Sequence, residues 1–513
     1  MKNQEANKFY QILQKQFSRR INLDLSRIKY FLFKKKIYPN QIEGEIITVK
    51  GSDGKNSVVQ SLKAIFIENK KKITTFTSPG IISPLDRIFI KDKFISFKKF
   101  KNISKKIIKS KIKLTLFEAI TLIYIICINK LKGFDYHIVE AGAGWEKDSI
   151  NLWENPKIQI VTNINLQHLD LFKVKTLAQV VKIKVGFLSK NTNIYIGKQS
   201  PYVLKKIKEI LKSNPSKKYY YGTDFKIIKN KNKYFYKDKK GKLILKSNKI
   251  NSDGLWDNIA LTIKVARDLK IKKEIILKSI PKISFQGRLE YIKNGKLRKF
   301  INPNEDLLLD GGASIKAAKN AYTYLKKIKK PIYGIWAIQK NRYPEKYLKQ
   351  FKKIFKKIIC IKIPNEKNFC SSKKLRNIAR KLKIKNEIAK NIPEALNKVS
   401  NKQDYHFIEI IYEDIYDILH NKFGLLSNKD KKHNRELFFS KGKEDDKKFG
   451  ARYRKESEDY IVAEREKAMR IKRDNLKYQE ELRAQMKIEK HDTDKNDFLF
   501  PPLYHDNKSY LHC

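Results

Sequence analysis

Cysteine is scarce in this chain and scattered. Among 513 residues there are four, Cys127, Cys360, Cys370 and Cys513, without CxxC spacing and without the framework that staples a small secreted domain. A disulfide scaffold is excluded, and the thiols read as the reduced cysteines of a cytoplasmic protein. Long apolar runs are missing too. The most apolar stretch, LFEAITLIYIICI at 116–128, carries Glu118 and falls short of the ~20 residues needed to cross a bilayer. It reads as a buried helix, so no membrane association is expected. The segment MKNQEANKFYQILQKQF has neither the apolar core nor the small-residue cleavage site of a secretory signal. Acidic residues are outnumbered, 53 against 114 Lys and Arg, for a formal charge of +61. Such an excess would ordinarily point to nucleic acid or an anionic membrane. Here lysine far outnumbers arginine, and the excess accompanies abundant Ile and Asn along most of the chain. That is compositional bias rather than a binding stripe. No RNA-recognition, zinc-finger or helix-turn-helix signature is present, and nucleic acid is not the expected partner.

Length and pattern set the organisation. At roughly 150 residues per domain, the chain holds two or three. Between about 20 and 280, short apolar runs (EIITV, ITTFTS, YHIVEA, IQIVTNI, NIYIG) alternate with helical patterns, which predicts an α/β domain with a mainly parallel sheet. Residues 215–252 read as a lysine-rich β-meander. A second α/β unit begins near 284, with LLLD, PIYGIWAI and IICIKI as strands and AAKNAYTYLKKI as a helix. The resulting divisions are 1–282, 283–425 and 426–513. In the last, isoleucine thins out and charge rises, which predicts a long solvated helix. Val462, Met469 and Leu476 give a coiled coil only one apolar line. The tail with His505, His512 and Cys513 reads as irregular rather than as a metal site.

The stretch VKGSDGKNSV (49–58) follows an apolar strand and opens a segment whose Val58, Val59, Leu62, Ile65 and Phe66 recur at helical spacing. Two glycines around polar residues, then Lys55 and Ser57, suit a backbone that wraps a phosphate at a helix N-terminus. A strict phosphate loop would read GxxxxGK[ST]. Here Val49 stands at the first glycine and Asn56 follows the lysine. Taken alone the loop fits a nucleotide site and an ordinary surface turn equally. Open parallel sheets bind ligands at the carboxyl ends of their strands. Ser78, Glu140, His168 and Asp310 all follow or end strand candidates. Ser78, Glu140 and His168 offer the ligands expected around Mg²⁺ held by carboxylate and nucleotide phosphate. Singly, each also reads as a turn serine, an ion-paired carboxylate or a hydrogen-bonded histidine.

The order of the segments resembles the folylpolyglutamate synthase and dihydrofolate synthase family of the Mur ligase superfamily. NLDLSRIKYFL (22–32) is similar to its leader segment, and VKGSDGKNSV to its AGTNGKGS loop. FTSPGIISPLDRIFI (76–90) is similar to TSPH…ERI, KLTLFEAIT (113–121) to LTxFE, and VEAGAGWEKDSIN (139–151) to EVGLGGRLDATN. INLQHLDLFKVKTLAQVVKIKVG (164–186), FQGRLE (285–290) and LLLDGGAS (307–314) resemble the LDH…LG.T…EKAG, PGRLE and LDGGHN segments. The likeness is collinear over about 20–420. It implies a Mur-type central ATPase domain followed by a smaller Rossmann-like ligase domain, with the C-terminal extension outside the likeness.

The resemblance also implies roles. Gly51, Gly54, Lys55, Asn56 and Ser57 would hold ATP phosphates. Ser78 and Glu140 would hold a first Mg²⁺ and His168 a second, with Lys184 carbamylated into a metal ligand. Asn258, Arg288 and Asp310 would contact the nucleotide, the last two from the second domain. The implied reaction is ATP-dependent addition of L-glutamate to a folate or to dihydropteroate through an acyl phosphate, by a monomer. Four positions besides Asn56 depart from the family: Asp53 for asparagine, Glu146 for arginine, and Ala313 and Ser314 for a His-Asn pair. These suggest weakened nucleotide affinity. A diverged, slow or inactive nucleotide-binding paralogue is therefore the second reading, and a basic nucleic-acid-binding or scaffold protein the third.

Overall fold

The computed structural model describes residues 2–17, 24–80, 83–167, 169–231, 233–351, 353–363, 368–400 and 407–412, all within one compact unit, Met1–Leu425. His168 and everything read above into residues 426–513 lie outside the described residues.

Alternating apolar runs and helical patterns produce a large sheet of eight strands: β1 Glu45–Lys50, β2 Ile73–Phe76, β3 Ile88–Ile90, β4 Lys93–Phe94, β5 Tyr136–Glu140, β6 Ile158–Val161, β7 Asn193–Ile196 and β8 Lys217–Tyr220. Their spatial order is β4-β3-β2-β5-β1-β6-β7-β8. From β2 to β8 every pairing is parallel, and β3 and β4 add an antiparallel edge. β1 is central and buried at every residue but Glu45, as a strand covered on both faces must be. Alternate residues serve opposite cores. Ile47 and Val49 join one cluster with Val58, Leu62 and Phe66 of helix Lys55–Glu68 and with Trp256, Ile259 and Ile263 of helix Asp253–Asp268. Ile46 points the other way, into a cluster with Phe31, Phe100 and the helix Leu116–Ile128.

That last helix is the apolar stretch with its one acid, and among the described residues no helix is long and apolar enough to span a membrane. Glu118 lies in its first turn. There its carboxylate accepts from the Thr115 amide at 2.7 Å while the Thr115 hydroxyl accepts from the Glu118 amide, and Arg27 pairs with it at 2.9 Å. The acid caps the helix and is neutralised, which lets an otherwise apolar helix bury it.

The expected meander is divided. Its first strand, β8, joins the large sheet beside β7, and only β9 Phe225–Asn230, β10 Lys233–Asp238 and β11 Gly241–Leu245 form a separate antiparallel sheet. Inward-facing Tyr236, Leu243 and Leu245 rest on the core beneath helix Asp253–Asp268. A second large sheet follows, from β12 Glu290–Tyr291, β13 Asp306–Asp310, β14 Ile332–Ala337, β15 Phe355–Cys360, β16 Asn386–Ile388 and β17 Phe407–Tyr412, in the order β12-β13-β17-β14-β15-β16. All but the β12 edge is parallel. β17 is an addition to the strands read from sequence, and it occupies the centre of this sheet.

Candidate active site

The loop between β1 and helix Lys55–Glu68 turns through two left-handed glycines, Gly51 at φ 138° and Gly54 at φ 88°. Neither position has room for a side chain: a Cβ on Gly51 would lie 2.0 Å from the Thr162 hydroxyl, and one on Gly54 2.5 Å from Asn258 Nδ2. The backbone is thereby left bare at the start of a 14-residue helix whose first residues are Lys55 and Asn56. Lys55 Nζ donates to the carbonyls of Gly51 at 3.2 Å and Ser52 at 3.3 Å, so its ammonium lies over the loop. Ser57 is buried in the first turn.

Two neighbouring strand ends meet this loop. Glu140, the last residue of β5, is buried. Burial pushes its carboxyl up to about 7, against the opposing influence of Lys55, the Ser78 amide, Arg87 and the Asn56 side chain. The Ser78 amide donates to Glu140 at 3.2 Å. The Ser78 hydroxyl accepts from Arg87 Nη2 at 3.0 Å, while Arg87 also donates to the Thr77 carbonyl and the Tyr10 hydroxyl. Arg87 was not singled out from the sequence, and it fixes the rotamer of the serine that was.

Lys184 lies behind the loop, buried. Its Nζ donates to the carbonyls of Ala143 at 2.6 Å and Gly51 at 3.4 Å. Burial and then the Lys55 charge pull its amine down to about 7, opposed by Asp148 and Asp53. Asp148, also unremarked in the sequence, organises the 142–144 turn by accepting from the amides of Ala143 and Gly144, both at 2.8 Å, and Gly142 at 3.4 Å. Beneath the loop Lys50 is buried too. It donates to Asn151 Oδ1 at 2.9 Å, and burial lowers its amine to about 8.

The second sheet supplies the opposite wall. Asp310, ending β13, is buried. Burial raises its carboxyl, while Arg288 and the amides of Gly312 and Leu289 oppose the rise. Arg288 Nη1 donates to the Gly287 carbonyl at 2.9 Å. The resulting cleft of about 740 Å³ is lined by Lys55, Ser78, Glu140 and Asn258 on one side and Arg288 and Asp310 on the other. Gly51 and Lys184 stand just behind its wall. Of the departures from the family pattern, Asp53, Asn56, Ala313 and Ser314 line the cleft, whereas Glu146 is exposed outside it.

The arrangement combines a bare helix N-terminus with cations and a buried carboxylate, which suits a polyanion and a cation together. The profile of the Mur ligase middle domain matches residues 49–261. A probable dihydrofolate synthetase of Schizosaccharomyces pombe is 25% identical over 284 residues, covering 53% of this chain and 65% of that protein, just under two thirds of its length. A dihydrofolate synthase/folylpolyglutamate synthase of Buchnera aphidicola subsp. Baizongia pistaciae is 22% identical over 422 residues, 80% of this chain and 92% of its own. The bifunctional folylpolyglutamate synthase/dihydrofolate synthase of Yersinia pestis, solved with AMPPNP and a Mn ion, shares the fold with a TM-score of 0.69 at 18% identity, over 81% of this chain and 97% of that one. The chain thus carries a Mur ligase middle domain over residues 49–261, is similar in sequence to dihydrofolate synthases/folylpolyglutamate synthases, and shares their fold.

Proposed function

We propose that this protein is an ATP-dependent carbon–nitrogen ligase that adds L-glutamate to a folate or to dihydropteroate. The observation that carries the reading is the meeting of the Gly51–Ser57 loop, Ser78, Glu140 and Lys184 at the head of one sheet, facing Arg288 and Asp310 of the other. On this reading the divisions at about 282 and 425 separate an ATP-binding domain, a ligase domain and an extension.

The residues fit the nucleotide. Gly51 and Gly54 keep side chains out of the cradle, helix amides and Lys55 face the phosphates, and Asn258, Arg288 and Asp310 receive the rest. They also fit a divalent cation: the buried Glu140 carboxylate and the Ser78 hydroxyl lie together at the cleft, and Mg²⁺ takes one or two such oxygen ligands together with substrate phosphate. Ser78 and Glu140 would hold a first Mg²⁺ and His168 a second, with carbamylated Lys184 as a further metal ligand. Bound there, Mg²⁺ supplies positive charge for the phosphate oxygens. Burial lowers the Lys184 amine to about 7, which eases loss of its proton. The free amine can add to the carbon of CO₂, form an N–C bond and release a proton, which turns a cation into an anionic ligand.

In the reaction an oxygen of the acceptor carboxylate attacks the γ-phosphorus, the bond to the β-bridging oxygen breaks, and ADP leaves an acyl phosphate. The amine of glutamate then attacks the acyl carbon, and the C–O bond to phosphate breaks with loss of a proton. Negative charge grows on oxygen in both steps, where Lys55 and Arg288 stabilise it. Closure of the two sheets over the cleft keeps water from the acyl phosphate. The second reading, a nucleotide-binding paralogue without the reaction, is favoured by the Asp53 carboxylate in the phosphate loop. Labelled glutamate, offered with ATP, Mg²⁺ and either dihydropteroate or tetrahydrofolate, separates the two: incorporation supports the ligase, and ATP binding without incorporation from either acceptor supports the paralogue.

A further inference from the structure

Two of the departures from the family pattern touch each other across the cleft. Ser314 Oγ donates to Asp53 Oδ2 at 2.7 Å. The same hydroxyl accepts from the Ala317 amide at 3.0 Å, so Ser314 is also the N-cap of helix Ile315–Leu325 on the second sheet. Asp53 is gripped from its own side as well, by Asn165 Nδ2 and by Gln167 Nε2 at 3.0 Å. Its backbone amide bonds to the Asn163 carbonyl at 3.2 Å. A carboxylate that looks from sequence like a free negative charge aimed at phosphate thus has three donors around it, one from the other layer. The seam continues nearby, where Asn251 Nδ2 donates to the Leu289 carbonyl at 3.0 Å and Asn320 packs on Gly254, so tightly that a Cβ there would meet its Nδ2 at 2.4 Å.

We propose that Asp53 and Ser314 are a pair of positioning residues: the loop carboxylate holds the capped end of helix Ile315–Leu325, and so draws Arg288 and Asp310 over the phosphate loop before nucleotide binds. A hydrogen bond to an ionised carboxylate is stronger than a neutral one, and the amide donors Asn165 and Gln167 fix the carboxylate's direction. The substitutions at 53 and 314 act together. Asparagine at 53 would turn an amide donor toward donors, and alanine at 314 would leave the carboxylate with no partner on the second sheet. With the cleft already drawn together, ATP binding need not supply the free energy of closure, since apparent affinity scales with the fraction of protein in the binding-competent state. This inference rests on the cleft being the nucleotide site, but its first test does not.

Labels introduced at exposed Lys212 and Lys381, one on each layer, report the separation of the layers with no nucleotide or folate present. S314D keeps an N-cap acceptor but sets two carboxylates against each other. It is expected to shift the distance distribution to longer values, and S314T, which keeps the hydroxyl, to leave it in place. An unshifted S314D, or an S314T that opens as far as S314D, would overturn the pairing. S314A alters no charge and should weaken ATP binding by roughly three- to tenfold in calorimetry. Unchanged affinity in S314A would overturn the role in nucleotide binding even if the layers separate.

Discussion

Gly54 and Asn258 stand so close that the asparagine amide occupies the space a Cβ on the glycine would need, 2.5 Å from it. The contact joins the loop after β1 to helix Asp253–Asp268. It gives the loop glycine two independent reasons to be glycine, the left-handed backbone at φ 88° and the absence of room.

Gly54→Ala is therefore expected to weaken ATP binding at least about tenfold and to cost roughly 1–3 kcal/mol of stability. Asn258→Ala, combined with it, should recover part of the stability by opening space but none of the affinity. Calorimetric titration with ATP and denaturant unfolding measure the two effects separately. Wild-type affinity in the single variant would remove the loop from the site.

Asp148 holds the turn that carries the Ala143 carbonyl to Lys184. Replacing it with asparagine removes the charge and one acceptor from a carboxylate that receives several backbone amides. Asp148→Asn should destabilise the protein by about 2 kcal/mol or more. A change below about 0.5 kcal/mol in denaturant unfolding would show that the turn is held by other means.

Lys50 gives a pH signature. Its amine titrates near 8 in the fold and near 10.5 ordinarily, so between those values the unfolded chain binds the proton and the native one does not. Stability attributable to this group rises with pH from about 8 to about 10.5, by up to about 3 kcal/mol, and is absent below that window. Lys50→Met lacks the rise. The stability of Lys50→Met relative to wild type should therefore be highest at pH 7 and shrink by pH 9.5, read from denaturant midpoints. A difference independent of pH would mean that Lys50 is not buried as a titrating amine.

The strand, glycine loop and helix at 45–68 are legible because their determinants are local: a glycine pair, a lysine and the apolar spacing of the following helix all lie within VKGSDGKNSV and the residues just after it. Glu140 and Asp310 were legible as strand ends. Arg87 and Lys50 are not, because what matters about them is set by distant partners, Tyr10 and Asn151, and Asp148 is not, because its amide partners at 142–144 belong to an irregular turn that no periodicity announces. Lys184 on an amphipathic pattern reads as a solvated lysine, and only the family resemblance drew attention to it. The division of the expected meander has the same cause, since alternation announces a strand but not its neighbour, and β8 pairs with β7 rather than β9. FIEIIY, the central strand β17, carries apolar residues enough to be a strand, but nothing local gives its place between β13 and β14.

A chain ending at residue 425 should fold, unfold cooperatively and retain whatever ligase activity the full chain has, since the described sheets and the cleft all lie before that point. Circular dichroism melts and the glutamate assay check this. Loss of soluble, cooperatively unfolding protein would assign the remaining residues a part in the core.

The most direct measurement follows oxygen from the acceptor carboxylate. With ¹⁸O in that carboxylate, ATP, Mg²⁺ and glutamate, attack on the γ-phosphorus followed by cleavage of the acyl C–O bond leaves one labelled oxygen in the inorganic phosphate, which shifts its ³¹P resonance. Labelled phosphate appearing in step with the glutamylated product is the expected result. Product formed with unlabelled phosphate, or ATP turnover with no glutamylated product from either acceptor, would contradict carboxylate activation in this cleft.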